Sequence, residues 1–167
     1  MLFRSIGRVV AMGGWFSQPK SEWNIVCDPV AAELVAAAGV EALYVGIDVT
    51  SQCVMTADQL GRLNASSRPI AANLSAAVKL WQDHLVAGGG AWRRPMLHDP
   101  LAVATIIRPE LVTTQEGTVR VELAGEHTYA QTHFKPAPPG TRGRHRICTA
   151  VQAEAFLEFF VERVLSL

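Results

Sequence analysis

Three adjacent side chains near the start of the chain have the types needed to hold a sugar or a nucleobase. Glu22, Trp23 and Asn24 place an aromatic ring beside a carboxylate and an amide. The alternative is that Trp23 packs locally and that the polar pair is solvated, because isolated polar residues are common in loops. The residues alone leave both interpretations open.

A second cluster, His98-Asp99-Pro100, combines a proton donor with a metal-binding oxygen. Asp99 could offer its carboxylate to a hard metal while His98 donates a proton. The simpler interpretation makes Asp99 a helix N-cap and Pro100 the first helical residue, with His98 incidental. Calcium takes 6–8 oxygen ligands, yet the aspartates are well spread along the sequence, so no local acidic cluster supports a complete metal site. They are Asp28, Asp48, Asp58, Asp83 and Asp99.

Other familiar catalytic patterns are absent from the sequence. The glycines at 88–90 lack the Lys-Ser/Thr of a phosphate-binding loop, so they predict flexibility. Neither a GxSxG nor an HExxH pattern occurs. Cys27, Cys53 and Cys148 are odd in number and far apart, which argues against a disulfide framework or a zinc site.

The elements that must position these residues alternate between strands and helices, which predicts an α/β fold with a parallel sheet. Strands are expected at 8–12, 42–47, 118–123, 129–134 and 146–149. Helices are expected from Asp28-Pro29 to Gly39, after the Thr56/Gln59 capping box, from Ser67 to Val86, from Asp99-Pro100 to Ile107, and from Val151 to Leu165. Since chemistry in such folds sits at the carboxyl ends of strands, the candidate loops are 13–24, 48–55 and 88–99.

Composition narrows the class of protein. The chain has 167 residues, of which 49% are hydrophobic and 18% charged, so a folded core is expected rather than disorder. Fifteen basic residues balance fifteen acidic ones, which leaves no cationic excess for nucleic acid and no basic helix for a membrane surface. No apolar run approaches the roughly 18 residues that span a bilayer, and residues 1–8 do not resemble a secretory signal. We therefore expect a cytoplasmic protein with neither nucleic acid nor membrane as a partner.

Five segments resemble the inosine–uridine-preferring nucleoside hydrolases, in the family's order, over about residues 6–134. They are VVAMGGWF, SEWNIVCDPVAAELV, YVGIDVT, LHDPLAVATIIRPEL and TVRVELAGEHTYAQTHF. The resemblance implies the carboxyl-terminal half of a Rossmann-like, mostly parallel sheet with flanking helices and a small β-hairpin. It also implies hydrolysis of the N-glycosidic bond of ribonucleosides to ribose and base, with a bound calcium ion that holds the ribose hydroxyls and the attacking water. A homo-oligomer is expected of the full-length protein.

The resemblance assigns a role to each matching residue. Asp99 corresponds to a calcium ligand that also touches the ribose, and His98 to the histidine that assists the departing base. The ribose contacts correspond to Met12, Glu22, Trp23 and Asn24, with Trp23 in place of a phenylalanine. These roles suit a bond that breaks through an oxocarbenium-like state, which needs positioned water and a proton donor.

Three departures from the family pattern affect the expected function. Phe16 stands near the place of a ribose-binding asparagine, and Tyr129-Ala130 replaces an Arg-Gly pair. The acidic motif D-x-D-P-G-x-D-D, which supplies the other calcium ligands, does not occur in the chain.

Two hypotheses follow from these departures. Residues 1–167 form a single partial domain of a hydrolase that is inactive alone, or they form a non-catalytic nucleoside- or sugar-binding module. A purely structural role is a third possibility. Residues 8–12 are expected to form an exposed apolar edge of the sheet that invites association.

Overall fold

A computed structural model describes residues 5–167; Met1–Arg4, the start of the segment considered above for a secretory signal, lie outside the described residues. The strands are β1 (Val9–Met12), β2 (Ala42–Val45), β3 (Val112–Val121), β4 (Thr132–Pro136) and β5 (His145–Val151). The helices are α1 (Trp23–Cys27), α2 (Pro29–Ala37), α3 (Ile47–Thr50), α4 (Ala57–Asn64), α5 (Pro69–Ala87), α6 (His98–Ile107) and α7 (Ala153–Ser166), with a short 3-10 helix at Pro109–Leu111.

The strands form one open five-stranded sheet in the order β1-β2-β5-β3-β4. β1, β2 and β5 run parallel, with Met12 opposite Val45 and Tyr44 opposite Ile147. β3 lies antiparallel to β5 and to β4, so the expected hairpin is the far edge of the same sheet. The α/β fold class is confirmed.

Helices cover both faces of this sheet. The larger core packs α3 to α7 against one face and includes the fully buried Val45, Leu101 and Phe156. The smaller core lies on the α2 side and includes Tyr44 and Val119. β2 is buried along its whole length because it lies between two parallel neighbours and beneath both layers.

β1 forms the edge at the opposite side of the sheet from the hairpin. Among residues 5–167 it pairs only with β2, and all four of its residues are half-buried. α6 packs against it and turns Val103, Ile106 and Ile107 outward, each more than half exposed. In the described part of the chain β1 is therefore an edge strand as expected, but its residues are half-buried rather than exposed, and association through this edge stays a prediction.

Most helix ends lie where the capping residues predict them. Asp28 caps α2 by accepting a hydrogen bond from the Ala31 amide at 2.8 Å, and Gly39 follows α2 in the left-handed region at φ +82°. The Thr56/Gln59 capping box is formed in both directions. No helix among residues 5–167 is both long and apolar enough to cross a membrane.

The expected opening of α6 at Asp99-Pro100 is wrong. The helix begins at His98, its N-cap is Leu97, and no side chain caps it. The Leu97 amide instead donates to the Cys53 carbonyl at 2.9 Å, and with this tertiary bond the helix starts two residues earlier than expected. Pro100 is still tolerated because the first helical amides need no partner within the helix.

Several further boundaries differ from the sequence expectation, among them the start of β4 at Thr132 rather than at 129, and three others have a cause in the contacts. The second strand ends at Val45 rather than at Ile47, because the Ile47 amide bonds the Gly14 carbonyl and α3 begins there. The candidate loop 13–24 ends in α1, which Glu22 caps. β3 begins at Val112, six residues before the expected strand, because its first half pairs with β5.

Candidate functional site

The three candidate loops meet at the carboxyl ends of β1 and β2. The Ile47 amide donates to the Gly14 carbonyl at 2.9 Å, which joins the first two loops. The Asp48 carboxylate strengthens this junction by accepting from the amides of Phe16 at 2.9 Å and Ser17 at 2.8 Å. The Leu97–Cys53 backbone bond connects the third loop to the second. Topology thus brings together segments that lie as much as 80 residues apart, as α/β folds do at strand ends.

Glu22 is the N-cap of α1 and is only 5% exposed. Both carboxylate oxygens lie 3.0 Å from the Asn24 amide, and Oε2 also accepts from the amides of Gly14 and Ile25 at 3.3 Å. Because a carboxylate oxygen has two lone pairs, Oε1 keeps acceptor capacity beyond this cap. Glu22 therefore ties the glycine turn after β1 to α1 and can still accept from a hydroxyl.

Asn24 and Met12 lie together beside this cap. The Asn24 amide nitrogen is 3.3 Å from the Met12 carbonyl oxygen and 3.2 Å from its sulfur. That contact leaves the Asn24 Oδ1 atom without a hydrogen bond from any described residue and open to a ligand donor. The Trp23 side chain is 74% exposed, so it does not pack locally, contrary to the alternative considered above.

His98 is held by a residue that the sequence analysis missed. Its Nδ1 lies 2.8 Å from the Thr50 hydroxyl, and Thr50 is completely buried at the end of α3. This contact orients the imidazole whichever of the two groups donates, and it leaves Nε2 as the ring nitrogen available to a ligand. The sequence feature that could have indicated Thr50 is its position at the end of the segment YVGIDVT, directly after a buried strand.

Asp99 differs from the other carboxylates of the site. It is exposed in the first turn of α6 and forms no hydrogen bond or ion pair with another described residue. Within residues 5–167, His, Cys, Asp and Glu side chains nowhere gather in a group of three that could hold a metal ion. Calcium needs 6–8 oxygen ligands, so the described residues do not form a complete calcium site by themselves.

The site therefore consists of two parts. Glu22, Asn24 and Met12 follow β1, whereas Thr50 and His98 lie beyond β2. Among residues 5–167 no hydrogen bond joins these two parts directly; the glycine turn and Asp48 lie between them. Their spacing is held by the backbone of the glycine turn together with the carboxylates of Glu22 and Asp48.

The two substituted positions have structural roles. The Phe16 ring packs edge-on against Tyr44 at 6.2 Å and against Phe134 at 6.3 Å, so the residue extends the smaller core. Ala130 is buried at φ +65°, a left-handed conformation that favours glycine. With Tyr129-Ala130 in place of the Arg-Gly pair, an alanine occupies a position whose backbone has the left-handed conformation that glycine adopts most easily.

Residues 1–158 match the family model described as inosine-uridine preferring nucleoside hydrolase. The chain is 29% identical over 168 residues to a pyrimidine-specific ribonucleoside hydrolase RihA of Enterobacter sp. (strain 638), a match that covers 98% of this chain and 54% of that protein. The solved purine-preferring ribonucleoside hydrolase of Gardnerella vaginalis superposes with a TM-score of 0.82 at 25% identity, over 96% of this chain and 52% of that one. A plant nucleoside hydrolase superposes with a TM-score of 0.80 at 27% identity, over 96% and 54%. The chain spans about half the length of the relatives it matches.

Proposed function

Because this chain belongs to the inosine-uridine preferring nucleoside hydrolase family, we propose that it forms the ribose- and base-facing part of a ribonucleoside N-glycosidase site. The reaction would split the bond between ribose and base with water. The observation that supports this proposal is the convergence of the three loops, with the imidazole of His98 oriented by the buried Thr50 at 2.8 Å. The relatives include pyrimidine-specific and purine-preferring enzymes, so we assign a ribonucleoside without a preferred base.

His98 is proposed as the group that assists the departing base. When the glycosidic bond breaks, its electron pair moves onto the base, and a proton delivered there makes the base a better leaving group. With Nδ1 occupied by Thr50, the proton would be carried on Nε2. The ring that delivers this proton carries hydrogen on both nitrogens, so its Nδ1–H donates to the Thr50 hydroxyl oxygen.

The residues after β1 are proposed to hold the ribose. Glu22 Oε1 and Asn24 Oδ1 have acceptor capacity for sugar hydroxyls, and the Met12 sulfur gives the pocket an apolar wall. The exposed ring of Trp23 adds a surface on which the ligand can pack. Such contacts accelerate a reaction by fixing the orientation of the substrate rather than by chemistry of their own.

Asp99 is proposed as the contribution of this chain to a calcium site. A bound calcium ion would supply a positioned, acidified water. The family's acidic motif does not occur in the sequence, and the described residues contain no group of three His, Cys, Asp or Glu side chains that could hold a metal ion. We therefore propose that the isolated chain binds ribonucleosides without hydrolysing them, which includes the alternative of a nucleoside- or sugar-binding module. A cytoplasmic location, a role in nucleoside breakdown and homo-oligomer formation by the full-length protein belong to the same proposal.

Two measurements on the purified chain test this proposal. Calorimetric titration with uridine and with inosine should give saturable binding in the millimolar range or tighter. A reducing-sugar assay on the same samples, with calcium or with a chelator, should detect no ribose. Calcium-dependent ribose release would overturn the proposed inactivity, and the absence of heat at millimolar ligand would overturn the binding.

Variants then locate the ligand. Asn24→Ala should weaken nucleoside binding by about tenfold, as expected for a lost hydrogen bond to a bound ligand. Asn73→Ala is the matched control, because Asn73 is exposed on α5 and outside the candidate loops. Equal weakening by both variants would contradict the assignment of the ribose pocket.

A further inference from the structure

We propose a second ligand site in this protein, a cationic groove that binds a phosphate group. The groove has a volume of about 600 Å³ and lies between the end of α2, the β3–β4 pair and the loop 137–144. It is at the amino ends of β2 and β5, the opposite end of the sheet from the candidate active site. The residues that line it include Arg120, Lys135, Arg142 and Arg144 but no carboxylate.

This concentration of positive charge is local, since the whole chain has equal numbers of acidic and basic residues. Arg120 forms an ion pair with the largely buried Glu33. Arg142 reaches Glu41 at 3.3 Å, in a pair whose side chains are both more than half exposed. Lys135 and Arg144 are exposed and have no ion pair within the described part of the chain. An exposed ion pair contributes little free energy. Arg142 can therefore leave Glu41 and bind a ligand together with Lys135 and Arg144.

The loop that carries two of these cations is held in shape before any ligand binds. The Gly143 amide donates to the Glu116 carboxylate at 3.0 Å, and a side chain at Gly143 would meet the backbone of Gly117 at 2.3 Å. The Thr141 hydroxyl donates to the Pro138 carbonyl at 2.7 Å. A loop tied down in this way loses less freedom on binding than a free one, which favours affinity.

A buried histidine at the groove is an independent indication of an anion. His145 is 1% exposed and borders the groove. Its Nδ1 accepts from the Val119 amide at 2.8 Å, so Nε2 carries the hydrogen in the neutral ring. Nε2 is buried and forms no hydrogen bond of ordinary geometry in residues 5–167, although the backbone of Ala36 interacts with the ring. A buried donor without a well-aligned acceptor is costly, and negative charge in the groove would reduce that cost.

Phosphate is the anion that suits these groups. It offers three or four acceptor oxygens and up to two negative charges, and an arginine fork binds it through two parallel hydrogen bonds. A groove of this volume also falls in the range that small ligands occupy. The source is free inorganic phosphate or the phosphoryl group of a nucleotide or sugar phosphate. The inference does not rest on the proposed function, because the two sites share no residue.

Amide chemical shifts measured at constant ionic strength test the groove. Inorganic phosphate should shift the amides of residues 135–146 in a saturable manner, whereas chloride should not. Uridine monophosphate should shift the same amides, and uridine, which lacks the phosphate, should leave them unchanged. Saturation by the nucleotide at lower concentration than by phosphate identifies an esterified ligand, and equal concentrations identify free phosphate.

The double variant Lys135→Gln/Arg144→Gln should weaken phosphate binding by about tenfold or more, since it removes both unpaired cations. The control Arg94→Gln/Arg163→Gln removes the same charge at two exposed positions that do not line the groove, and it should leave binding unchanged. All four side chains are exposed, and circular dichroism checks that the variants fold. Equal weakening by both double variants, or shifts that follow ionic strength alone, would overturn the proposal.

Discussion

The two ends of the parallel strands use their charged residues in opposite ways. At the carboxyl ends, the carboxylates of Glu22 and Asp48 accept hydrogen bonds from backbone amides and hold the loops together. At the amino ends, Lys135 and Arg144 stand exposed around a groove. A charge that satisfies backbone amides chiefly contributes to folding, whereas a charge without a partner remains available to a ligand. We therefore expect the loss of Glu22 or Asp48 to destabilise the loops, and the loss of Lys135 or Arg144 to change ligand binding.

The largest effect is expected from Glu22→Ala. Removing the buried carboxylate leaves the amides of Gly14, Asn24 and Ile25 without their acceptor, so the free energy of unfolding should fall by about 2–3 kcal/mol. Urea denaturation followed by circular dichroism measures it. Asp99→Ala is the control and should stay within about 0.5 kcal/mol, because Asp99 is exposed and unpaired among the described residues. A similar decrease in the free energy of unfolding in both variants would contradict the view that Glu22 stabilises the fold and that Asp99 does not.

Asp48→Ala should have the next largest effect. The variant loses the acceptor for the amides of Phe16 and Ser17, and because the site is only half-buried the expected cost is about 1–2 kcal/mol. Hydrogen exchange should also quicken at residues 14–17. Asp58→Ala, at an exposed position in the first turn of α4, is the comparison variant. Unchanged exchange in Asp48→Ala would mean that the carboxylate does not hold the loop.

At the other end of the sheet, His145 should make stability depend on pH. Burial, and then the charge of Arg144, lower the pKa of His145 below its usual 6.5, against the opposing effects of the Ala36 carbonyl and Glu33. The unfolded chain therefore binds the proton more readily, so the free energy of unfolding should be constant above pH 6.5 and should fall as the pH drops below it. The slope for one proton is at most about 1.4 kcal/mol per pH unit.

The variant His145→Asn tests this assignment, because an asparagine oxygen can replace Nδ1 as the acceptor for the Val119 amide. Its unfolding free energy should lose this pH dependence between pH 5 and 7. If the variant kept the full pH dependence of the unfolding free energy, a group other than His145 would be responsible for that dependence. His84→Asn, at an exposed position on α5, should retain the slope.

The smallest effect is expected from Ala130→Gly. Ala130 adopts φ +65°, and an L side chain is disfavoured in the left-handed region by roughly 1–2 kcal/mol. Glycine removes that strain but adds freedom to the unfolded chain, so a net gain of about 0.5 kcal/mol is expected. Ala124→Gly, in the same turn region without a positive φ, should instead be neutral or destabilising. A loss of stability in Ala130→Gly would show that its buried methyl group contributes more than the backbone strain costs.

Much of the fold could be predicted from local patterns. Asp28, Thr56 and Gln59 cap the helices that their positions predict, and the hairpin strands pair as expected. The failures occurred where a distant contact decides a boundary. α6 starts at His98 because Leu97 bonds Cys53, and β2 ends at Val45 because Ile47 bonds Gly14. Local helix and strand propensities contain no information about hydrogen bonds between segments that are far apart in the sequence.

The candidate site divides in the same way. Residue types and family resemblance alone pointed to His98, Asp99, Glu22 and Asn24, because these side chains carry the chemistry themselves. The tertiary structure decided which of these side chains have a partner. Glu22 accepts hydrogen bonds from backbone amides, and His98 contacts the Thr50 hydroxyl. Asp99 and the cations of the groove remain exposed. A sequence specifies which groups can donate, accept or carry charge, whereas only the packing of distant segments determines which of those groups still lack a partner.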